Sequence, residues 1–203
     1  YCPTGCGTTK QRSSRFIPPE EFSRGLSKLY DIGLLTSDTY FFLFNWGDPF
    51  LHPKLDEIIK ILNNANQKFA LSTNGSIVPK ELGSSLLDNL FYLRISLPGF
   101  SQESYNRIHQ LNFKNVLHNV GILSEMVPPN TLEVLFFVYK FNVDEISQAY
   151  EYFNEHNIKF KLAMPHLMDV NDAIAYLTDT VDPAKKHKIE SDLFIEHVKP
   201  QFL

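Results

Sequence analysis

Five short runs of apolar residues recur along the chain, and longer stretches with helical periodicity separate them. Runs of this length, rich in aromatic and branched residues and bounded by Gly or Pro, are typical of strands that are covered on both faces. We expect the aromatic side chains of Phe41, Phe42 and Phe44 to belong to the core or to line a barrel. The five runs predict strands at Tyr40–Asn45, Lys68–Ser72, Leu90–Leu97, Thr131–Tyr139 and Ile158–Met164.

Helices are predicted between the strands from their apolar stripes and from their start and stop signals. The first begins at Pro18-Pro19-Glu20-Glu21, because prolines and acidic residues suit a first turn, and it ends at Gly33. This alternation predicts parallel strands with right-handed crossovers, in either an open doubly wound sheet or a barrel. The other predicted helices begin at Pro53, cover Pro79–Asn89, follow a cap at Ser101, cover Phe113–Met126, extend from a cap at Asn142 to about His156, and cover Asn171–Leu177.

Polar turns follow the predicted strands. Because the carboxyl ends of parallel strands meet at one edge of a sheet, we expect these turns to lie on one rim, where ligands bind in such folds. Gly47 lets the backbone come close to a ligand, and Pro49 fixes the turn around it. The sequence contains neither a Gly-x-Gly-x-x-Gly fingerprint nor a Walker-type phosphate loop. The five turns are Asn45–Pro49, Ser72–Gly75, Ser96–Gly99, Tyr139–Asn142 and Met164–His166.

Composition narrows the class of protein. The chain has 203 residues and a formal net charge of −4, so nucleic acid is not an expected partner. No apolar run approaches the roughly 20 residues that a membrane span needs. The two cysteines, Cys2 and Cys6, both lie near the start, which excludes a disulfide framework and favours a reducing, cytoplasmic setting. Since the chain starts at Tyr1 and not at Met, we expect it to be a fragment of a longer protein.

Four segments in register resemble the core of a radical S-adenosylmethionine (SAM) enzyme, in the branch that often carries a C-terminal SPASM domain with auxiliary clusters. The resemblance extends from Tyr1 to about Met168. It implies a partial (β/α)6 TIM-like barrel of parallel strands whose first strand lies upstream of this chain. It also implies a core domain at residues 1–180 and a linker or the start of an extension at 181–203. The four segments are YCPTG at the start, NWGDPFLHPKLDEIIK, ALSTNG and RISLPGFSQESYNRIHQLNFKNV.

The resemblance implies an iron–sulfur ligand at the start of the chain. The family holds a 4Fe–4S cluster with the motif CxxxCxxC, and Tyr1-Cys2 matches the aromatic residue and third cysteine of that motif. Cys2 is therefore the candidate metal ligand, two further cysteines are expected upstream, and Cys6 is expected to have no role. Three thiolates leave the fourth iron open for the amino and carboxylate groups of SAM. One thiolate does not hold the cluster, so this chain alone is expected to be inactive.

The resemblance also implies a SAM site at the rim. Trp46-Gly47-Asp48-Pro49 stands where the family usually has Gly-Gly-Glu-Pro, a turn whose backbone hydrogen-bonds the amino group of SAM. Pro98 stands where many relatives have Asp. His109 stands where many relatives have Arg, and Arg107 is a nearby substitute for a cation facing the SAM carboxylate. No catalytic residue is assigned. The candidate cofactor-binding residues are Gly47, Asp48, Pro49, Ser72, Asn74 and Ser96.

The implied activity is reductive cleavage of SAM to a 5′-deoxyadenosyl radical, which takes a hydrogen atom from a peptide or a small metabolite. The implied partners are that substrate and an electron donor such as flavodoxin or ferredoxin. Two other readings stay open. A degenerate barrel that has lost its cluster would serve as a binding or scaffold module. An unrelated α/β domain would use the same rim for another ligand.

Overall fold

Five parallel strands form one sheet, and their order across the sheet, β1-β2-β3-β4-β5, is their order along the chain. The computed structural model of the protein describes residues 16–36, 38–45, 47–83, 87–165, 167 and 170–194. A doubly wound sheet reverses its strand order at a switch point, and this sheet does not. The predicted α/β class with parallel strands is confirmed, and the order is that of a partial barrel. The strands are β1 (Tyr40–Phe42), β2 (Lys68–Thr73), β3 (Leu90–Leu97), β4 (Leu132–Phe137) and β5 (Lys159–Ala163).

Helices precede the first strand, connect three of the four pairs of successive strands and follow the last strand, while no helix lies in the described residues between β2 and β3. Local signals set several of their ends: Ser101 accepts a hydrogen bond from the Ser104 amide at 3.1 Å, and Asn112 accepts one from the Asn115 amide at 3.0 Å. Short 3-10 helices cover Pro49–Leu51 and Val143–Glu145. The α-helices are α1 (Pro19–Asp31), α2 (Leu55–Asn64), α3 (Gln102–Ile108), α4 (Phe113–Met126), α5 (Ile146–Glu155), α6 (Val170–Leu177) and α7 (Pro183–Asp192).

The two faces of the sheet differ in what covers them. Side chains alternate along a strand, so Leu93, Ile95 and Leu97 of β3 point into the main core, where helices α2, α4 and α5 pack on them. The other side, here called the open face, carries the half-buried Tyr92 and Arg94 of β3 and continues onto the neighbouring strands. The sheet therefore has one face that is covered except at β5, where Leu162 is exposed, and one accessible face.

The prediction that strand Tyr40–Asn45 is covered on both faces is wrong. Phe41 packs against the core and meets the ring of Phe22 at 6.3 Å, but Phe42 is 56% exposed on the open face. The aromatic residues of this segment lie on both faces of the sheet, and the sequence pattern does not show which residue lies on which face. The ring of Phe41 packs against the core, and the rings of Phe42 and Phe44 meet edge to face at 5.8 Å on the open face.

Other expected elements need correction. No helix forms in the described residues of Pro79–Asn89, which are 79–83 and 87–89; instead, Leu82 and Leu87 anchor an irregular segment in the core. Asn142 does not cap a helix, since a 3-10 turn intervenes before α5 and its side chain bonds elsewhere. The polar Lys/His-rich segment contains α7, which the sequence analysis missed. None of the helices in the described residues is long and apolar enough to cross a membrane.

Candidate functional site

The carboxyl ends of all five strands lie along one edge of the sheet, because every neighbouring pair is parallel. The six candidate cofactor-binding residues belong to the first three strands and the turns that follow them. Trp46 and Cys2 lie outside the described residues. Gly47, Asp48 and Pro49 follow β1, Ser72 and Asn74 lie at and after the end of β2, and Ser96 lies near the end of β3.

The side chain of Asp48 ties the turn after β1 to the end of β2. Its Oδ1 accepts a hydrogen bond from the Phe50 amide at 2.9 Å, and so caps the 3-10 helix. Its Oδ2 accepts from the Thr73 hydroxyl at 2.8 Å and from the Asn74 amide at 3.0 Å. The carboxylate is thus engaged by protein donors. What the turn offers to a ligand is its backbone at Gly47, which is exposed and has open space where a Cβ would project.

Thr73 is a residue that sequence reasoning missed. It is buried, and its hydroxyl donates to Asp48 while accepting from the Gly75 amide at 3.1 Å. Gly75 has a φ of +71°, and a Cβ there would lie 3.2 Å from Val116, so the turn requires glycine. The Thr-Asn-Gly sequence signals a turn, but nothing in it identifies Asp48 as the partner.

Two hydroxyls face each other on the open face near the rim. Ser72 Oγ and Ser96 Oγ lie 3.4 Å apart, and both side chains are half-buried. A hydroxyl has one donor and two acceptor sites, so this single long contact leaves capacity for a ligand. The Oδ1 atom of Asn74 accepts a hydrogen bond from the Ser76 amide at 2.8 Å, so the group that this side chain offers to a ligand is its amide NH2. Oxygen and amide groups of this kind suit the amino, carboxylate and ribose groups of SAM.

A second set of buried contacts joins the loops after β3 and β4. The side chain of Asn142 is fully buried and donates to the carbonyls of Pro98 at 2.7 Å and Phe137 at 3.0 Å. It also accepts from the Tyr139 amide at 2.8 Å. These bonds fix the end of β3, where Ser96 lies, against the end of β4. The sequence analysis placed Asn142 in a rim turn and interpreted its side chain as a helix cap.

Glu145 reinforces this junction. Its carboxylate accepts hydrogen bonds from the Phe100 amide at 2.5 Å and from the Ser104 hydroxyl at 2.8 Å. Gly99 fits beneath these groups because it has no side chain: a Cβ there would lie 2.2 Å from the Ser104 Cβ. Glu145 was not singled out from sequence, because its partners lie more than 40 residues away along the chain.

The structure describes both Arg107 and His109, the two residues considered as a cation facing the SAM carboxylate. Arg107 lies 3.1 Å from Asp192 of α7, and its guanidinium lies 4.3 Å over the ring of Phe141. Burial lowers the pKa of His109 to about 4, so its imidazole is neutral at neutral pH. The contact with Asp192 joins α3 to α7, and the interpretation of Arg107 as a substitute cation stays a prediction.

Metal-binding groups are scarce in the described part of the chain. Within it, no three or more His, Cys, Asp and Glu side chains come together in a way that would hold a metal ion. Cys2, the candidate cluster ligand, lies outside that part. A cluster would therefore depend on residues outside the described part of the chain.

Comparisons with known proteins place the chain in a family. A comparison with curated proteins finds no match. Among solved structures, SuiB of Streptococcus suis bound to S-adenosylmethionine is 15% identical, with a TM-score of 0.58 over 80% of this chain and 39% of SuiB. The anSMEcpe protein with bound AdoMet is 16% identical, with a TM-score of 0.58 over 76% of this chain and 44% of anSMEcpe. TYW1 with a lysine-pyruvate adduct is 16% identical, with a TM-score of 0.52 over 84% and 64% of the two chains.

These solved structures share the fold of this chain, which spans between 39% and 64% of their lengths. The sequence model of the Radical SAM superfamily matches residues 1–153, which is well over half of the 203 residues. The chain therefore belongs to the radical SAM superfamily, whose cofactors are a 4Fe–4S cluster and S-adenosylmethionine.

Proposed function

We propose that this chain is the core of a radical SAM enzyme of the SPASM-associated branch that abstracts a hydrogen atom from a peptide or a small metabolite. The observation that carries the proposal is the family match over residues 1–153 together with the Gly47 turn, which Asp48 locks at the rim. When bound, the reduced cluster and SAM supply a 5′-deoxyadenosyl radical for that abstraction.

The residues of the rim divide into two roles in this proposal. Gly47 and the carbonyl groups around Pro49 present backbone atoms to the amino group of SAM. Asp48 positions that backbone and does not itself touch the cofactor, because its carboxylate already accepts three hydrogen bonds. Ser72 and Ser96, with the amide of Asn74, bind the ribose or carboxylate of SAM.

The cluster ligand in this proposal is Cys2, with two further cysteines upstream of it at CxxxCxxC spacing. An electron donor such as flavodoxin or ferredoxin reduces the cluster in the cytoplasm. We divide the chain at residue 180, so that 181–203 joins the core to an extension. Helix α7 lies in that second part and packs on α3 through the buried Ile189 and Leu193.

The substrate class draws support from the solved structures that share this fold. SuiB has been solved bound to the precursor peptide SuiA, and anSMEcpe with the Cp18Cys peptide. TYW1 carries a lysine-pyruvate adduct. Both peptides and small molecules are therefore handled on this fold, and we carry both classes over to this chain.

The test uses the protein expressed from its complete gene and reconstituted anaerobically with iron and sulfide. We expect a 4Fe–4S signal in electron paramagnetic resonance after reduction, and 5′-deoxyadenosine when SAM is added. Cys2→Ala should abolish both signals, and Cys6→Ala, the matched control, should leave both intact. A well-folded protein with neither signal would instead be the degenerate binding or scaffold module.

A further inference from the structure

The open face carries a cluster of three charged side chains on three neighbouring strands, Arg94 of β3, Glu133 of β4 and Lys161 of β5. Glu133 Oε1 accepts a hydrogen bond from Arg94 Nε at 2.7 Å and forms an ion pair with Arg94 Nη2 at 2.6 Å. Glu133 Oε2 accepts from Lys161 Nζ at 2.5 Å. Arg94 and Glu133 are direct partners in the register of β3 and β4, so both point to the same side of the sheet. We call these three residues the charged cluster.

The charged cluster has an excess of positive charge. Burial by itself would raise the pKa of Glu133, but hydrogen bonds from Lys161 and Arg94 outweigh it and lower that pKa, so the carboxylate is ionised at neutral pH. Two cations then face one carboxylate. The side chain of Glu133 is 5% exposed, whereas Arg94 is 24% and Lys161 52% exposed, so the surplus charge lies on the accessible side.

Donors remain on both cations. Within the described residues, Arg94 Nη1 makes no hydrogen bond, and the Lys161 ammonium bonds only to Glu133. A guanidinium has five N–H donors and an ammonium has three, so a further acceptor can bind to each without displacing Glu133. Carboxylates are among the acceptors with which such cations form strong, charge-assisted hydrogen bonds.

Aromatic rings border the charged cluster on one side. The guanidinium of Arg94 lies 4.6 Å from the centre of the Tyr92 ring. The ring of Tyr92 in turn lies 6.4 Å from Phe44 and 6.3 Å from the exposed Phe42. An accessible apolar surface thus lies next to the surplus positive charge. This combination matches a ligand that carries a carboxylate beside an apolar or aromatic group.

The charged cluster lies within reach of the rim. Arg94 precedes Ser96 by two residues on β3, which at about 3.3 Å per residue puts it about 7 Å further from the rim. A purely structural role would need only one cation to neutralise Glu133. The second cation lies on the edge strand β5 and is half exposed, where an ion pair contributes little to stability.

We propose that the charged cluster, with the ring of Tyr92 beside it, binds a carboxylate group of the substrate. This inference rests on the proposed function, because it assigns the open face to the substrate of the same reaction. Arg94 and Lys161 bind the carboxylate, and Glu133 holds both cations in place. The carboxylate belongs either to a peptide or to a small acid, since both present the same group.

The test measures probe binding to the protein expressed from its complete gene, by ligand-observed NMR. The probes are 3-phenylpropanoate and its neutral analogue 3-phenylpropanamide, and N-acetyl-phenylalanine and its amide as the peptide-like pair. We expect each carboxylate to bind about tenfold more tightly than its amide, the size of a good charge-assisted contact. If N-acetyl-phenylalanine binds more tightly than 3-phenylpropanoate, the carboxylate belongs to a peptide. If 3-phenylpropanoate binds more tightly, the carboxylate belongs to a small acid.

Three variants test the residue assignment. Lys161→Gln should weaken carboxylate binding about fivefold and leave amide binding unchanged, and Lys161→Arg should restore it. Lys60→Gln removes an equally exposed lysine that pairs with Asp56 on α2, and it should change neither. Equal binding of acids and amides, or no effect of Lys161→Gln in a folded protein, overturns the inference. SAM cleavage is assayed in parallel. Cleavage without probe binding overturns this inference alone. Binding without cleavage overturns the proposed function, and the charged cluster is then a carboxylate site without a role in that reaction.

Discussion

The hydroxyl of Thr73 donates a hydrogen bond to the carboxylate of Asp48 at 2.8 Å, and this contact joins the first two strands at the rim. The two residues are 25 positions apart in sequence. Through this bond and the one from the Asn74 amide, the end of β2 sets the position of the turn that contains Gly47. The most exposed backbone of the candidate site therefore depends on a buried side chain of the next strand.

Thr73→Val should loosen this turn. Valine keeps the shape of threonine but removes the donor, so Asp48 loses one bond and the Gly75 amide loses its acceptor. We expect a loss of about 1–3 kcal/mol in the free energy of unfolding, as for other bonds to a charged group, and weaker SAM binding. Chemical denaturation and calorimetric titration with SAM measure the two effects.

The control for Thr73→Val is Ser124→Ala, which removes an exposed hydroxyl that bonds only to a carbonyl within its own helix. It should change the free energy of unfolding by less than about 0.5 kcal/mol. If Thr73→Val were as harmless as Ser124→Ala, the Asp48 contact would have no role in holding the turn.

Gly99→Ala should destabilise the junction between β3 and β4. The added methyl group would lie 2.2 Å from the Ser104 Cβ and 2.8 Å from Glu145 Oε2, so the loop has to move. We expect a loss of about 1–3 kcal/mol in the free energy of unfolding, typical of an overpacked site. The measurement is equilibrium denaturation in urea.

Gly121→Ala is the matched control for Gly99→Ala. Gly121 lies inside α4, and a Cβ there would meet no atom within 4 Å. Since alanine favours a helix over glycine, this change should raise stability by about 0.5–1 kcal/mol. The two substitutions are chemically identical, so effects of the same sign and size would refute the packing argument.

The half-buried His109 should make stability depend on pH. Burial lowers its pKa from 6.5 to about 4, so the folded protein binds fewer protons than the unfolded chain between these values. Its contribution is complete above pH 6.5 and is lost as the pH falls towards 4, by at most about 3 kcal/mol.

His109→Gln should flatten the pH dependence between 4 and 6.5 relative to the unmodified protein. The measurement is the free energy of unfolding in a pH series. His118→Gln, which removes an exposed imidazole on α4, controls for the loss of a histidine. If the free energy of unfolding changed equally with pH in the unmodified protein and in His109→Gln, His109 would not be the source of the pH dependence.

The pair of Arg107 and Asp192 should hold α7 against the core. Asp192 is nearly fully buried, and its backbone carbonyl also accepts a bond from the Lys140 amide at 2.9 Å. Asp192→Asn keeps the shape and removes the charge, so we expect faster hydrogen exchange in α7 and little change in β2 and β3. If the amides of α7 exchanged at the same rates in Asp192→Asn and in the unmodified protein, the ion pair would not hold the helix.

Short-range patterns in the sequence predicted much of the rim. The strand at Leu90–Leu97 has the predicted bounds because a run of apolar residues specifies it. The helix at Phe113–Met126 has the predicted bounds because a local cap specifies its start. The turn that contains Gly47 was predicted from two of its own residues, Gly47 and Pro49. The segment Pro79–Asn89 was misread, since its apolar residues anchor a loop in the core and do not form a helical stripe.

Local sequence patterns specify the five strands, most of the helices and the polar turns that follow the strands, because apolar periodicity and turn chemistry act over a few residues. Which face of the sheet stays accessible, and which distant side chains meet, depends on the packing of the whole fold. Glu133 lies 39 residues from Arg94 and 28 from Lys161 along the chain, and the register of three strands brings them together. Long-range register depends on how helices pack between strands, and no local pattern encodes it.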